Sequence, residues 1–306
     1  MAICESLNIL SGYDLAAMGF HSADEVHVLA ETLRRVFVDR NNKLGDPDFV
    51  KNPIAELIDP AYAAKLRAGI DPVRATPSST LGPSAPDHEG HNTTQFDVVD
   101  AKGNAVSVTY TLNDWFGAHR IAGRTGIVMN DEMDDFTSKP GVPNMFGLVQ
   151  GAANAIAPGK TPLSSMSPTI LTRDGKVALV IGSPGGSRII TITLEAILNM
   201  IDHGMDVQEA IDAPRIHEQW LPDTVSLEAF ALSPDTRRLL EQRGYSFEDE
   251  GHWGIAEGIV MGAPRLGTQD GKSSAFLSLG TPPLKGATMF GAHDPRGGAG
   301  LAVPVN

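Results

Sequence analysis

The feature that most constrains this 306-residue chain is a break in texture at Asn92. Upstream, residues 71–91 carry Pro72, Pro77, Pro83 and Pro86 in a Ser/Thr/Gly mixture without periodicity, which reads as an extended, exposed connector. Downstream, residues 93–99 alternate, Asp100-Ala101-Lys102-Gly103-Asn104 is turn chemistry, and residues 105–112 alternate again. The pattern predicts a β-hairpin. With its turn centred near Lys102, facing residues have numbers that sum to about 204, which places Thr111 opposite Thr93 on one face of the sheet.

Residues 1–70 read as helical. Ser22-Ala23-Asp24-Glu25 has the capping-box pattern, followed by Val26, Val28, Leu29, Leu33, Val36 and Phe37 at helical spacing, and that helix is predicted to end near Arg40-Asn41-Asn42. A second hairpin is signalled by residues 168–172 and 177–181 around Asp174-Gly175, the favoured pair for a type I′ turn. It leads through Gly182-Ser183-Pro184-Gly185-Gly186-Ser187 into an apolar helix over residues 189–201, stopped by Gly204. Asp206 and Ser233-Pro234 open two further helices, and residues 262–287 read as a loop insertion. Helices beside alternating strands fit a layered α+β architecture.

Thr93 joins the end of a polar linker to the start of a strand. Were the bond before it cut, its new α-amino group could serve as base for its own hydroxyl, so one residue would supply nucleophile and base. On its residues alone, Asn92-Thr93-Thr94 is equally a β-branched start to a strand. Thr111 and Asn113, across the hairpin, could orient the hydroxyl or amine. The run Asp131-Glu132-Met133-Asp134-Asp135 has no cation beside it until Lys139, so its carboxylates either bind an ammonium group or form a solvated acidic loop. Ser164 and Ser165 offer hydroxyls to a carboxylate, or are loop polarity. Gly185-Gly186, between strand and helix, either aims backbone N–H groups at an oxyanion or meets the dihedral needs of a tight turn.

Other chemistries are weaker. The glycine loop lacks the lysine and spacing of a phosphate loop. Ser183 approaches a nucleophile elbow with Asp206, Asp212, His217 and His252 downstream, but the first glycine is missing and Pro184 removes a backbone donor. His217-Glu218 reads as a surface pair or a satisfied buried histidine. The nine histidines show no HExxH spacing and Cys4 is the only cysteine, so neither a metal nor another cofactor is predicted. With 24 Lys and Arg against 37 Asp and Glu, net charge −13, nucleic acid is excluded as the main partner, and no apolar run has membrane-spanning length.

In combination these strings resemble the γ-glutamyltransferases, or glutathione hydrolases, of the N-terminal-nucleophile hydrolase superfamily. The matching runs are Asn92-Thr93-Thr94, Thr109-Tyr110-Thr111-Leu112-Asn113, residues 126–136, Pro162-Leu163-Ser164-Ser165-Met166-Ser167-Pro168-Thr169 and Gly182-Ser183-Pro184-Gly185-Gly186-Ser187-Arg188. The resemblance extends from about residue 7 to residue 260 and resumes at Asp294-Pro295-Arg296. It implies a four-layer αββα sandwich, lacking part of the large-subunit half. It also implies autocatalytic cleavage between Asn92 and Thr93, with residues 1–92 as the end of a large subunit and 93–306 as the small one. Thr93 would attack a γ-glutamyl amide such as glutathione, forming an acyl-enzyme that water, an amino acid or a dipeptide resolves.

The roles implied are Thr111 as partner of the nucleophile, with Asn113, Glu132 and Asp135 on the glutamyl amino and carboxylate groups. Ser164 and Ser165 would hold the α-carboxylate, and Gly185 and Gly186 would form the oxyanion hole. Residues 139–147 resemble the family's lid, with Phe146 where tyrosine is common, so a lid hydrogen bond to Asn113 is expected to be lost and the gate loosened. Gln95 stands where histidine is frequent. An arginine that pairs with the α-carboxylate belongs to the upstream half, outside this chain. The alternatives are a cephalosporin or glutaryl acylase of the same superfamily, which the acidic cluster disfavours, and an inactive half with a structural or binding role. Family members are commonly exported by a signal segment, and none is expected within this chain.

Overall fold

A computed structural model describes residues 1–82, 92–263, 265–266, 288–298 and 300–304. The N-terminal stretch is helical as expected, with α1 (Ala2–Leu10), α2 (Leu15–Met18), α3 (Ala23–Lys43), α4 (Ile54–Leu57) and α5 (Pro60–Ala68). Ser22 caps α3 by accepting the Glu25 N–H at 3.2 Å, but the reciprocal half of the capping box is displaced. The Glu25 carboxylate takes the backbone N–H of His21 and the ring of His203 instead. Two apolar stripes on α3 serve different cores. Leu29, Leu33 and Phe37 pack with α1 and with Phe146, Leu148 and Val149, while Val26 and Ala30 pack with Ile216, Val225 and Leu240.

Charged residues fill the rest of the α3 circumference. Glu31 pairs with Arg35 at 2.6 Å, and Arg34 reaches Ser78 Oγ at 2.8 Å, the Thr76 carbonyl and Asp223. Asp223 also accepts the Ser78 N–H, and the Trp220 indole donates to the Ser78 carbonyl. Ala75 and Ser78 are therefore buried, which corrects the expectation of an exposed connector for that part. Proline-rich composition reported the missing periodicity correctly but carried no information on these distant polar partners. Residues 83–91 lie outside the described residues.

The hairpin forms as expected from β1 (Asn92–Val99) and β2 (Ala105–Asn113), with Thr93 facing Thr111 and the register shifting between Asn92 and Thr93. A second hairpin, β3 (Thr169–Arg173) and β4 (Lys176–Gly182), turns at Asp174 and Gly175, both with positive φ as a type I′ turn requires. The glycine loop then enters α6 (Ile189–Ile201), and α7 (Val207–Asp212) follows with a complete capping box at Asp206. Next come β5 (Ile216–His217), β6 (Val225–Leu227), α8 (Pro234–Gln242), β7 (Phe247–Asp249), β8 (Glu257–Met261) and β9 (Met289–His293). Strands β3-β4-β8-β9 make one antiparallel sheet, and β5-β6-β7 a small one with a parallel pair. The expected insertion at 262–287 falls mostly outside the described residues.

The layers follow from alternation along β4. Leu179 and Ile181 face α6 and α7, in a core with Ile192, Ile197, Ile211 and Val260. Gly182 faces the β1–β2 hairpin, where a Cβ would lie 2.4 Å from Gln95. The hairpin turns its polar side to this sheet: Gln95 accepts from Thr109 at 2.6 Å and donates to Asp97 and Ser107, each at 3.0 Å. Its apolar side, with Phe96, Val98, Val106 and Tyr110, stands exposed. Helix, sheet and hairpin thus form three layers of the expected four.

The ion cluster around α3 gives a stability prediction. Arg34→Leu leaves Glu218 buried without its cation and Glu31 with Arg35 alone, and breaking such a buried arrangement costs about 3–5 kcal/mol. Urea unfolding of the two proteins, compared at equal slope, measures it.

Candidate active site

Thr93 begins its strand half-buried, and its Oγ1 lies 3.2 Å from Thr111 Oγ1. Thr111 Oγ1 also accepts the Asn113 N–H at 2.8 Å, so the end of β2 is folded around the hydroxyl that faces Thr93. Asn113 is buried with φ +79°, a left-handed conformation that asparagine tolerates better than most residues. Its amide donates to the Asp131 carbonyl at 3.4 Å and contacts Met145 Sδ at 3.3 Å. Met145, beside Phe146, thus offers the Asn113 amide its weakly accepting sulfur.

The acidic run is held in place by Asn154, which donates to the Asp135 carbonyl at 2.8 Å, and by Asp131, which accepts the Asp114 N–H at 2.9 Å. Burial, then the neighbouring Glu132, pushes the Asp135 carboxyl up to about 8, and burial raises Glu132 as well. Two desolvated carboxyls side by side favour sharing a proton. A cationic ligand arriving between them would supply the missing counter-charge.

Thr93, Thr111, Asn113, Glu132, Asp135, Phe146, Ser164, Ser165 and Gly186 line one narrow cleft, with Met166 and Ile189 and about 20 Å³ of room. Residues spread over more than 90 positions of sequence are thereby brought together. Gly185 is not among the lining residues; its φ is 136° and that of Gly186 is 56°, values that favour glycine at both positions. Phe146 is held by its neighbours: Asn144 Oδ1 accepts the Phe146 N–H at 3.0 Å, and Gln219 donates to the Phe146 carbonyl at 3.3 Å. Asn92 pairs with Asn113 at the strand end. A roomier hollow of about 730 Å³ at the turn end of the hairpins, by Lys102 and Gly175, holds none of these residues.

Ser183 does not behave as a nucleophile. Its buried hydroxyl donates to the Pro184 carbonyl at 2.7 Å and accepts the Ile255 N–H, while His217 turns to Thr191 and Gln219. His217 is the satisfied buried histidine, held neutral by burial with its pKa down to about 3. Glu218 is buried too, which removes the surface-pair reading.

Arg40 and Gln219 went unread in the sequence. Arg40 donates to Ser165 Oγ at 2.8 Å, and Gln219 accepts from Ser187, next to the glycine pair, at 2.6 Å. Arg40 follows Leu33 and Phe37 at helical spacing, so a cation continuing an apolar stripe was the available signal.

A family model described as Gamma-glutamyltranspeptidase matches residues 1–273. This chain belongs to that family. It is 56% identical over 303 residues to the glutathione hydrolase proenzyme of Pseudomonas sp. (strain A14), covering 99% of this chain and 50% of that one. An acylase ACY 1 proenzyme of Pseudomonas sp. (strain SE83) is 44% identical over 214 residues, covering 70% and 36%. The Helicobacter pylori γ-glutamyltranspeptidase T380A mutant superposes with TM-score 0.57 at 44% identity, covering 67% of this chain and all of that one. The fold class is that of the N-terminal-nucleophile hydrolases, and the chain spans about half the length of the curated glutathione hydrolase proenzymes it matches.

The raised carboxyls generate a pH prediction. An acid whose folded pKa lies above its unfolded value contributes stability at low pH that is lost as pH rises towards the folded value. Carbon-13 NMR of the Asp135 carboxyl should therefore show titration near pH 8, and Glu132→Gln, by removing the neighbouring charge, should lower it.

Proposed function

We propose that this protein matures by cleavage between Asn92 and Thr93 and then transfers or hydrolyses γ-glutamyl groups through a γ-glutamyl-threonine ester. The observation that carries the reading is the cleft that Thr93 and Thr111 line together with the carboxyls of Glu132 and Asp135 and the hydroxyls of Ser164 and Ser165. A γ-glutamyl donor presents an ammonium and a carboxylate on one carbon, and the carboxyls and the hydroxyls of the lining suit these two groups.

In this reading the freed Thr93 amine takes the hydroxyl proton as Oγ1 attacks the γ-carbonyl carbon. Thr111 orients Oγ1, and the N–H groups of Gly185 and Gly186 receive the negative oxygen of the tetrahedral intermediate. Collapse breaks the amide bond and the amine leaves with the proton. Water or an acceptor amine then attacks the ester and restores Thr93. Cleavage need not separate the pieces, because residues 29, 33 and 37 share a core with 146, 148, 190 and 194. In a protein of the relatives' length, the remaining half would cover the apolar side of the hairpin.

The glutaryl acylase reading uses the same nucleophile on a donor without an ammonium group, which would leave Glu132 and Asp135 unmatched. It draws support from the acylase relative.

Intact-mass measurement and N-terminal sequencing should give two fragments meeting at Asn92 and Thr93, with Thr93→Ala left whole. A cut that persists in Thr93→Ala would remove the nucleophile assignment. The mature protein should cleave a γ-glutamyl anilide at least about tenfold faster than the glutaryl anilide, a difference of about 1.4 kcal/mol in transition-state binding. Preference for the glutaryl compound would favour the acylase.

A further inference from the structure

Arg40 ends the buried face of α3 with 2% of its surface exposed. On the same helix Arg34 and Arg35 have Glu31 as an ionic partner. The groups to which Arg40 donates are neutral: Nη1 gives a hydrogen bond to Asn41 Oδ1 at 2.9 Å and Nη2 to Ser165 Oγ at 2.8 Å. A buried cation in neutral contacts is costly unless an anion comes to it. Asp135 acts on it only at longer range, and burial lowers the guanidinium to about 10.

The two serines in front of it are arranged as donors. Ser164 Oγ accepts the Met166 N–H at 3.0 Å, and Ser165 Oγ accepts from Arg40. A hydroxyl whose oxygen is already engaged as acceptor has its hydrogen to give. Both serines line the cleft together with the carboxyls that suit an ammonium group.

We propose that Arg40 is a positioning residue for the α-carboxylate of the donor, fixing Ser165 Oγ as a hydrogen-bond donor and supplying positive charge behind it. The proposal rests on the γ-glutamyl reading and gives this chain a carboxylate-directed guanidinium of its own. It predicts that Arg40 matters to ligands in proportion to their α-carboxylate.

Calorimetric titration with two probes tests it: L-glutamate carries both groups, and 4-aminobutanoate is the same molecule without the α-carboxylate. Arg40→Gln should weaken L-glutamate about ten- to a hundredfold, as loss of a charge-assisted contact implies, and leave 4-aminobutanoate unchanged. Removing Arg40 also makes Asp135 easier to protonate, so both titrations are run at about pH 7 and about pH 9. An effect of Asp135 fades at the higher pH, where its carboxyl is ionised, and an effect on the α-carboxylate persists. Parallel loss of both probes at the higher pH marks a merely structural arginine and overturns the proposal. So does unchanged L-glutamate affinity, or no L-glutamate binding by the unaltered protein. Should Arg40→Gln not fold, Arg40→Lys, which keeps a charge but loses the planar fork, is read with the same probes and should show a smaller selective loss. Arg40-dependent glutamate binding without Thr93-dependent cleavage of a γ-glutamyl anilide would instead refute the catalytic reading and leave the carboxylate site standing.

Discussion

The β1–β2 hairpin lies with its hydroxyls and amides against the four-stranded sheet, and the site follows from that orientation. A hairpin that buried Phe96, Val98 and Val106 would turn Thr93 and Thr111 to the outside. The polar side is acceptable between two sheets because its groups satisfy one another, with Gln95 bonded to Asp97, Ser107 and Thr109. Among the described residues one Asp97 oxygen has no hydrogen-bond partner, and burial raises that carboxyl to about 6. Polarity that would be a defect in an ordinary core is continuous here with the floor of the cleft.

Helix α3 connects the remaining parts. Its apolar stripes join two cores, its middle holds the segment around Ser78, and its last turn delivers Arg40 to Ser165. Such a helix cannot be described as amphipathic in the usual sense, since charged residues are buried along with the apolar ones. Their partners come from all over the chain, with Asp223 the most distant in sequence from Arg34. Stability and site geometry therefore draw on one element.

The sequence was legible where structure is local. Alternation on either side of Lys102 determined the register of the first hairpin, Asp174-Gly175 marked the turn of the second, and Asp206 and Ser233 marked their helices. The site residues were legible because Thr93, Asp135, Ser164 and Gly186 sit in runs that resemble a known family, and the cleft then brought them together. What escaped reading depends on distant partners. Strands β5 and β6 span two and three residues, too few for a period to show. The burial of Ser78 needs Arg34 and Trp220, and the role of Gln219 needs Phe146 and Ser187.

The anchoring of Ser78 bears on what a break at residue 92 would mean for the molecule. On one side of the stretch 79–92 the backbone is fastened by Arg34, Asp223 and Trp220, and on the other Thr93 is fastened by pairing with Thr111. A covalent link between two points already held in place contributes chiefly loop-closure entropy, which changes slowly with length. Were the bond between Asn92 and Thr93 cut, the tertiary contacts on either side of it would therefore remain, and the same fold could be written on one polypeptide or two.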